Sequence, residues 1–208
     1  MKNNINKIKN QWESYIKEKL IPLVGNTPEG NLYSKHLTNF KEPTMVPKQN
    51  NIIKFLKEFK PNNVLEIGFN AGFSALLIKL INPEIDLTCI DINEHFYVVP
   101  CYKMISSNYK NIKIILESSL IALPKLIKQK KEFDVIHIDG DHRIEGAKKD
   151  LDFCLRLCRK GSVIIMDDTN LPHINELCNK YIKNKIVKEY NFKKFECSRY
   201  QHKFLEVM

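Results

Sequence analysis

The chain has 208 residues, 43% hydrophobic and 27% charged, a balance that suits one globular domain with one sizeable core and excludes a low-complexity or fibrous protein. No apolar run reaches the roughly eighteen residues that span a bilayer. The N-terminus alternates charged and apolar residues where a signal peptide would have a continuous apolar core, so a cytoplasmic protein with no membrane partner is expected. The formal net charge of +9 permits an anionic partner. Lys, Asn and Ile are used heavily along the whole chain, however, and this spreads the charge where a nucleic-acid surface would concentrate it.

Residues 3–20 place Ile5, Ile8, Trp12, Tyr15, Ile16 and Leu20 on one side, which predicts an amphipathic helix ended by Pro22. Such a helix also offers a contact for a homodimer. The stretch to Pro47 carries Gly25, Pro28, Gly30 and Pro43 and reads as a lid or approach loop. Residues 1–47 are thus expected as an N-terminal segment and 48–208 as the core of a single domain. A helix from Lys48 to Phe59 is halted by Pro61.

VLEIGFNAGFSALLIKL then gives a strand over Val64 to Ile67, a turn from Gly68 to Gly72 and a helix starting near Ser74. Asn70 stands where the dinucleotide fingerprint has its second glycine, the one that lets the backbone approach a pyrophosphate. A nucleoside ligand without phosphates fits better, and Glu66 at the strand end would itself reject a phosphate. Strand Leu87 to Ile90 ends in Asp91, a natural partner for a ribose diol. A helix from Glu94 to Tyr109, interrupted at Pro100, leads to strand Ile112 to Leu116 and the polar Glu117-Ser118-Ser119, followed by a helix from Leu120 to Lys130. The lysines from Lys125 to Lys131 read as a solvated helix face.

The richest stretch is FDVIHIDGDHRIEGAKKDLDFCLRLCRKGSVIIMDDTN. Its apolar, β-branched runs, Val135 to Ile138 and Val163 to Met166, run straight into Asp139 and Asp141 and into Asp167 and Asp168. Between them Ile144, Ala147, Leu151, Cys154, Leu155 and Cys158 recur at helical spacing, and Lys160-Gly161 stops the pattern. A β-α-β unit brings parallel strand ends to one edge, so four carboxylates converge where open α/β sheets bind ligands. Their repulsion calls for a protonated acid or a bound cation, and oxygen-only donors favour Mg²⁺, Mn²⁺ or Ca²⁺ over zinc. Read singly, such aspartates cap helices or sit in solvent; it is the pairing at two strand ends that points to a site. His137, inside an apolar strand, reads as a core residue. A helix over Ile174 to Ile182 and strands Ile186 to Tyr190 and Lys203 to Val207 complete the chain. The six cysteines have neither C-x-x-C nor zinc spacing, which suits a reducing compartment.

VLEIGFNAGFSALLI, the acid of LTCIDIN, ILESSLIALPKL, FDVIHIDGDH and RKGSVIIMDDTN together resemble, in order and spacing, the class I S-adenosylmethionine-dependent methyltransferases. Within them the resemblance is to the metal-dependent O-methyltransferases of the catechol type and of the antibiotic-sugar (macrocin or novobiocin) type. It covers roughly Met45 to Asn170. It implies a Rossmann-like, doubly wound α/β fold with a mostly parallel seven-stranded sheet, an antiparallel last strand and an N-terminal helical lid.

The resemblance also implies site roles. Glu66, Gly68, Asn70, Gly72 and Ser74 would lie along the methionine part of the cofactor, Asp91 on the ribose, and Ser118 and Ser119 by the adenine, with Ile92 and Asp139 also in contact. Met45 and Val46 match the segment lining the methyl-donor pocket, and Asp139, Asp167 and Asp168 match the metal ligands. Asp141 matches the base proposed for the sugar type, while His142 stands where the catechol type has a lysine base. Asp141 and His142 are therefore both candidate catalytic bases, acting on a small-molecule or sugar hydroxyl beside a divalent ion. The competing readings are a nucleic-acid methyltransferase, suggested by the charge, and a non-catalytic nucleoside-binding protein of the same fold.

Overall fold

The computed structural model describes residues 2–25, 45–192, 195–196 and 201–208. Residues 26–44, expected from sequence as a lid or approach segment, and residues 193–194 and 197–200 lie outside them. In chain order the elements are α1 (Lys2–Tyr15), a π-helical turn (Ile16–Leu20), α2 (Ile21–Val24), α3 (Val46–Phe59), β1 (Asn63–Ile67), α4 (Phe73–Ile81), β2 (Asp86–Asp91) and α5 (Val98–Ser106). Then follow β3 (Ile112–Leu116), α6 (Ser119–Lys128), β4 (Phe133–Ile138), α7 (Ile144–Leu155), β5 (Cys158–Met166), α8 (Pro172–Lys183), β6 (Val187–Glu189) and β7 (Lys203–Val207).

The seven strands form one sheet in the order β3-β2-β1-β4-β5-β7-β6. β3 to β5 run parallel, and β7 is antiparallel to both β5 and β6. Because side chains alternate along a strand, the strands β1, β2, β4, β5 and β7 each feed two cores. Val64, Leu87, Val135, Val163, Ile165 and Phe204 face α1, α3, α4 and α5. Leu65, Ile67, Ile136, Ile138, Ile164 and Leu205 face α6, α7 and α8. The order leaves β1 toward β2 on one side and toward β4 on the other, so the crevice between the β1 and β4 carboxyl ends is the switch point where such sheets bind ligands. Among the described residues no helix is long and apolar enough to cross a membrane.

Three boundaries differ from the sequence expectation. Pro22 does not end the first helix: it falls in the first turn of α2, where a missing N–H costs nothing, and the chain runs on through the π turn to Gly25 at φ 79°. Cys158 belongs to β5 and not to the helix, because α7 stops at Leu155 and the β4–β5 ladder begins early, at Phe133 opposite Cys158, across a register shift. The helix expected from Glu94 contracts to Val98–Ser106, with Pro100 tolerated in its first turn. The N-terminal helix is a layer of the core: the Trp12 indole N–H donates to the Phe73 carbonyl at 2.8 Å, and Ile16 and Leu20 are fully buried.

Candidate active site

A cavity of about 700 Å³ opens at the carboxyl ends of β1 to β4. Its floor is the turn after β1, where two backbones meet almost without a gap. Gly68 has φ +91°, and a Cβ built there would lie 1.9 Å from the Asp139 carbonyl oxygen. Gly68 N–H donates to Ile90 O and Asp139 N–H to Ile67 O, both at 2.9 Å, so the turn is stitched to β2 and β4 together. Asn70 takes a left-handed conformation, φ 51°, and aims its own N–H at Asp91 Oδ2, 2.7 Å away. Asn93 N–H donates to Asp91 Oδ1 at the same distance. Asp91 is thereby fixed at the cavity wall by two amides, with carboxylate lone pairs left over for a diol.

On the β3 side Ser118 caps α6, its Oγ accepting from Leu120 N–H at 3.3 Å, and Ser119 lies beside it on the wall. On the β4 and β5 side the wall is made by Asp139, Asp141, His142 and Asp168. Gly68, Asn70, Ser74, Asp91, Ile92, Ser118 and Ser119 join them around the same space. Of the sixteen site residues expected from sequence, these eleven are brought together.

Five are not among the described residues of the wall. Glu66 is 0% exposed and points to the opposite sheet face, where it accepts from the Ser74 hydroxyl, lies 3.4 Å from His137 Nδ1 and accepts from Cys89 Sγ at 3.5 Å. It steadies Ser74 from below. Gly72 starts α4 against the Phe69 ring and Ile105. Met45 and Val46 open α3, with Met45 buried in the core. Asp167 is 4% exposed and lies beneath the wall.

Asp167 has a partner that the sequence did not announce. The Lys48 ammonium, 0% exposed and 119 residues away in the chain, donates to its carboxylate at 2.5 Å. Burial pushes Asp167 up, but Lys48, with His137 and His202, outweighs this and holds it well below the usual carboxylate range. Burial and the neighbouring Asp167 charge push Asp139 up to about 7, against the pull of Lys48 and His137. The ring nitrogens of half-buried His202 are out of solvent, and this burial, with the Lys48 charge, pushes it down to about 3. Asp168, at φ 52°, pairs with His142 Nδ1 at 2.8 Å, and His142 is raised chiefly by that bond. The His142 carbonyl in turn lies 2.9 Å from His173 Nε2. Asp141 is gripped by its neighbour: Arg143 Nε and Nη2 reach its two oxygens at 2.9 and 2.7 Å, the Arg143 amide adds a bond at 2.9 Å, and the carboxyl is held below its ordinary value.

Among the described residues two donor sets have their atoms within 4.8 Å of one another: His137, Asp139 and Asp167 below the wall, and Asp139, His142 and Asp168 on it. Asp139 is common to both. Of the three acids expected to share one ion, buried Asp167 is thus compensated by Lys48 and half-buried Asp168 is paired with His142.

Among known proteins the chain is similar to catechol O-methyltransferase of Mus musculus, 27% identical over 161 residues that cover 74% of this chain and 56% of that protein. It is also similar to ribosomal RNA small subunit methyltransferase G of Streptococcus agalactiae, 31% identical over 90 residues, 41% of this chain and 35% of that one. The chain therefore spans about half or less of the length of these curated relatives. In fold it is similar to the O-methyltransferase TomG of Streptomyces achromogenes, solved in complex with SAM, with a TM-score of 0.64, 14% identity and coverage of 96% of this chain and 88% of that one. A family model described as "Methyltransferase domain" matches residues 65–169, just over half the chain. That span runs from the glycine turn to the second pair of strand-end aspartates, the segments that build the cavity, and by it the chain belongs to the methyltransferase domain family.

Proposed function

We propose that the protein transfers a methyl group from S-adenosylmethionine to a hydroxyl of a small molecule, with His142 as general base. The observation that carries this reading is one cavity with a carboxylate, Asp91, held by two amides at the β2 end and a carboxylate-histidine pair at the β4 and β5 ends, joined by the turn from Gly68 to Gly72. The cavity volume lies within the range of small-molecule sites, about 300–1,000 Å³. Asp91 would hold the ribose hydroxyls, Ser118 and Ser119 the adenine edge, and the Gly68 to Asn70 turn with Ser74 the amino-acid end. When bound, that cofactor supplies an electrophilic methyl on a sulfonium.

The chain's own part is to position an oxygen and remove its proton. With Nδ1–H donated to Asp168, His142 presents Nε2 as an acceptor, the tautomer a base needs, and Asp168 stabilises the imidazolium that forms. Asp141, with both oxygens engaged by Arg143, is a poor acceptor, so of the two candidate bases His142 is preferred. The apolar walls from Ile67, Phe69, Phe73 and Ile90 limit water around the reacting groups.

The divalent ion expected on Asp139, Asp167 and Asp168 does not fit these residues as they stand, since Lys48 neutralises Asp167 and His142 occupies Asp168. A cytoplasmic setting accords with the free thiols Cys89, Cys101, Cys154, Cys158 and Cys178. The ribosomal RNA relative and the net charge favour a second reading, methylation of RNA; salt-dependent retardation of RNA in a gel, with methyl incorporation into it, would establish it in place of the first. The test of the main reading is calorimetric titration with S-adenosylhomocysteine, followed by a mass-spectrometric screen of hydroxylated acceptors. Binding with methyl gain on oxygen is expected. No binding would end the cofactor assignment, and binding without transfer to any acceptor would favour the non-catalytic alternative.

A further inference from the structure

We propose that the buried ammonium of Lys48 is the permanent counter-charge of the strand-end acids, in the place a divalent ion would take, so that this site works without a metal. The proposal deepens the methyl-transfer reading and rests on it for the activity arm of the test alone.

A fully buried lysine is rare and needs a charged or strongly polar partner. Lys48 has 0% exposure and a 2.5 Å bond to Asp167, itself 4% exposed. It also stands in the first turn of α3, the end of a helix where the backbone dipole disfavours a cation. Neither the helix nor solvent explains its position; the acid beneath the cavity does. Asp167 is fixed for the purpose, because its amide donates to Ile138 O at 3.0 Å and its Oδ1 accepts the Asp168 amide at 2.7 Å.

The most deeply buried of these charges is then offset without an ion. Lys48 offsets Asp167, and His142 pairs with Asp168 at 2.8 Å. Asp139 lines the cavity, on the side where a cationic sulfonium would bind. A Mg²⁺ coordinated by Asp167 at about 2 Å would stand only about 4 Å from the lysine nitrogen, two positive centres inside one low-dielectric pocket. Taking Asp167 out of the ligand set leaves Asp139 and Asp168 with His142, and an ion held through His142 Nε2 would occupy the acceptor that a base needs.

The experiment titrates the 208-residue chain, saturated with S-adenosylhomocysteine, with Mn²⁺ and follows free Mn²⁺ by electron paramagnetic resonance. Wild type should retain no Mn²⁺ at micromolar concentrations. Turnover, measured on any acceptor found active, should be the same within twofold in excess EDTA and in Mg²⁺. Stoichiometric Mn²⁺ uptake at micromolar concentration, or loss of turnover in EDTA that Mg²⁺ restores, would overturn the proposal. Lys48→Met should bind Mn²⁺ at least tenfold more tightly than wild type, and a folded Lys48→Met protein with no such gain would also count against it. Should that variant fail to fold, Lys48→Met/Asp167→Asn removes both charges together; recovery of the fold supports the pairing, and continued failure to fold refutes it. If wild type binds no S-adenosylhomocysteine, the methyltransferase reading falls while Mn²⁺ uptake by the cofactor-free protein still decides the lysine's role.

Discussion

Replacing Gly68 by Ala asks how closely the cofactor turn is fitted to its neighbours, and Gly161→Ala supplies the control. Both glycines have a positive φ, +91° and +86°, so an alanine at either costs about 1–2 kcal/mol of backbone strain. At Gly161 nothing lies within 4 Å of the added carbon and the cost stops there. At Gly68 that carbon would meet the Asp139 carbonyl oxygen at 1.9 Å and its carbon at 2.8 Å, backbone atoms that cannot swing aside. To reach ordinary contact β1 and β4 must part by more than about 1 Å, a forced overpacking that adds roughly 1–3 kcal/mol. The displacement falls on the Gly68–Ile90 and Asp139–Ile67 hydrogen bonds and so on the cavity floor. Urea denaturation should therefore show Gly68→Ala less stable than Gly161→Ala by about 2 kcal/mol, with S-adenosylhomocysteine affinity lowered at least ~30-fold in the first variant and unchanged in the second. Equal stabilities, or a Gly68→Ala protein that keeps its affinity, would show that the turn is not pinned to β4 as described.

Asp91→Ala should weaken S-adenosylhomocysteine binding by about 10–100-fold in calorimetry, the worth of charge-assisted hydrogen bonds to a diol, and should leave two amides, Asn70 and Asn93, without their acceptor. His142→Ala should lower kcat by roughly 10²–10³ with cofactor affinity unchanged, whereas Asp141→Ala should stay within about threefold; the reverse order would move the base to Asp141. Asp150 is 1% exposed, and burial pushes it up to about 6, because neither oxygen has a partner in hydrogen-bonding geometry and nearby Ser119 offsets only part of the burial. A folded-state value above the ordinary 3.8 means that the folded chain holds this proton more tightly. Its contribution to stability is then complete below about pH 4 and is lost as pH rises through about 6. Asp150→Asn, neutral throughout, should match wild type at pH 4 and exceed it by about 1–3 kcal/mol at pH 8 in paired melting curves; the same difference at both pH values would contradict this. Trp12→Phe gives up the buried bond to the Phe73 carbonyl and should cost about 2 kcal/mol by denaturation, with a cost near zero showing that α1 is not anchored through it.

Much of the site was legible because its signals are local. Asp91, Asp139 and Asp168 each follow an apolar β-branched run, and parallel pairing brings the ends of such runs to one edge whatever the remainder of the chain does. Glu66 shows where local reading fails. It ends a strand as Asp91 does, but in a pleated strand one step in register exchanges the faces, and Glu66 shares its face with Val64 and its pairing position with His137. It is therefore a carboxylate inside the α1–α3–α4 layer, partnered by Ser74, and Ser74 rather than Glu66 reaches the cavity. Cys158 misled for a related reason: a residue four after Cys154 suits a helix, but a register shift in β4 let the neighbouring strand begin there instead.

Lys48 is the instructive omission. In a chain with 33 Lys and Arg residues, a lysine after Pro47 at a helix start has the look of any solvated one. What sets it apart is a long-range fact, that α3 lies against the strand ends and turns its first-turn side chain inward. Once that is known, the acid cluster reads differently. Four carboxylates in sequence suggest a missing cation, and the usual inference is to a metal because metals leave no mark in a sequence. A lysine does leave a mark, but one whose meaning depends on burial, and burial of a charge is the last property that composition or periodicity can report. The same aspartates therefore support either an ion-holding site or a self-neutralised one, and the choice between them turns on a single side chain contributed by an element far off in the chain.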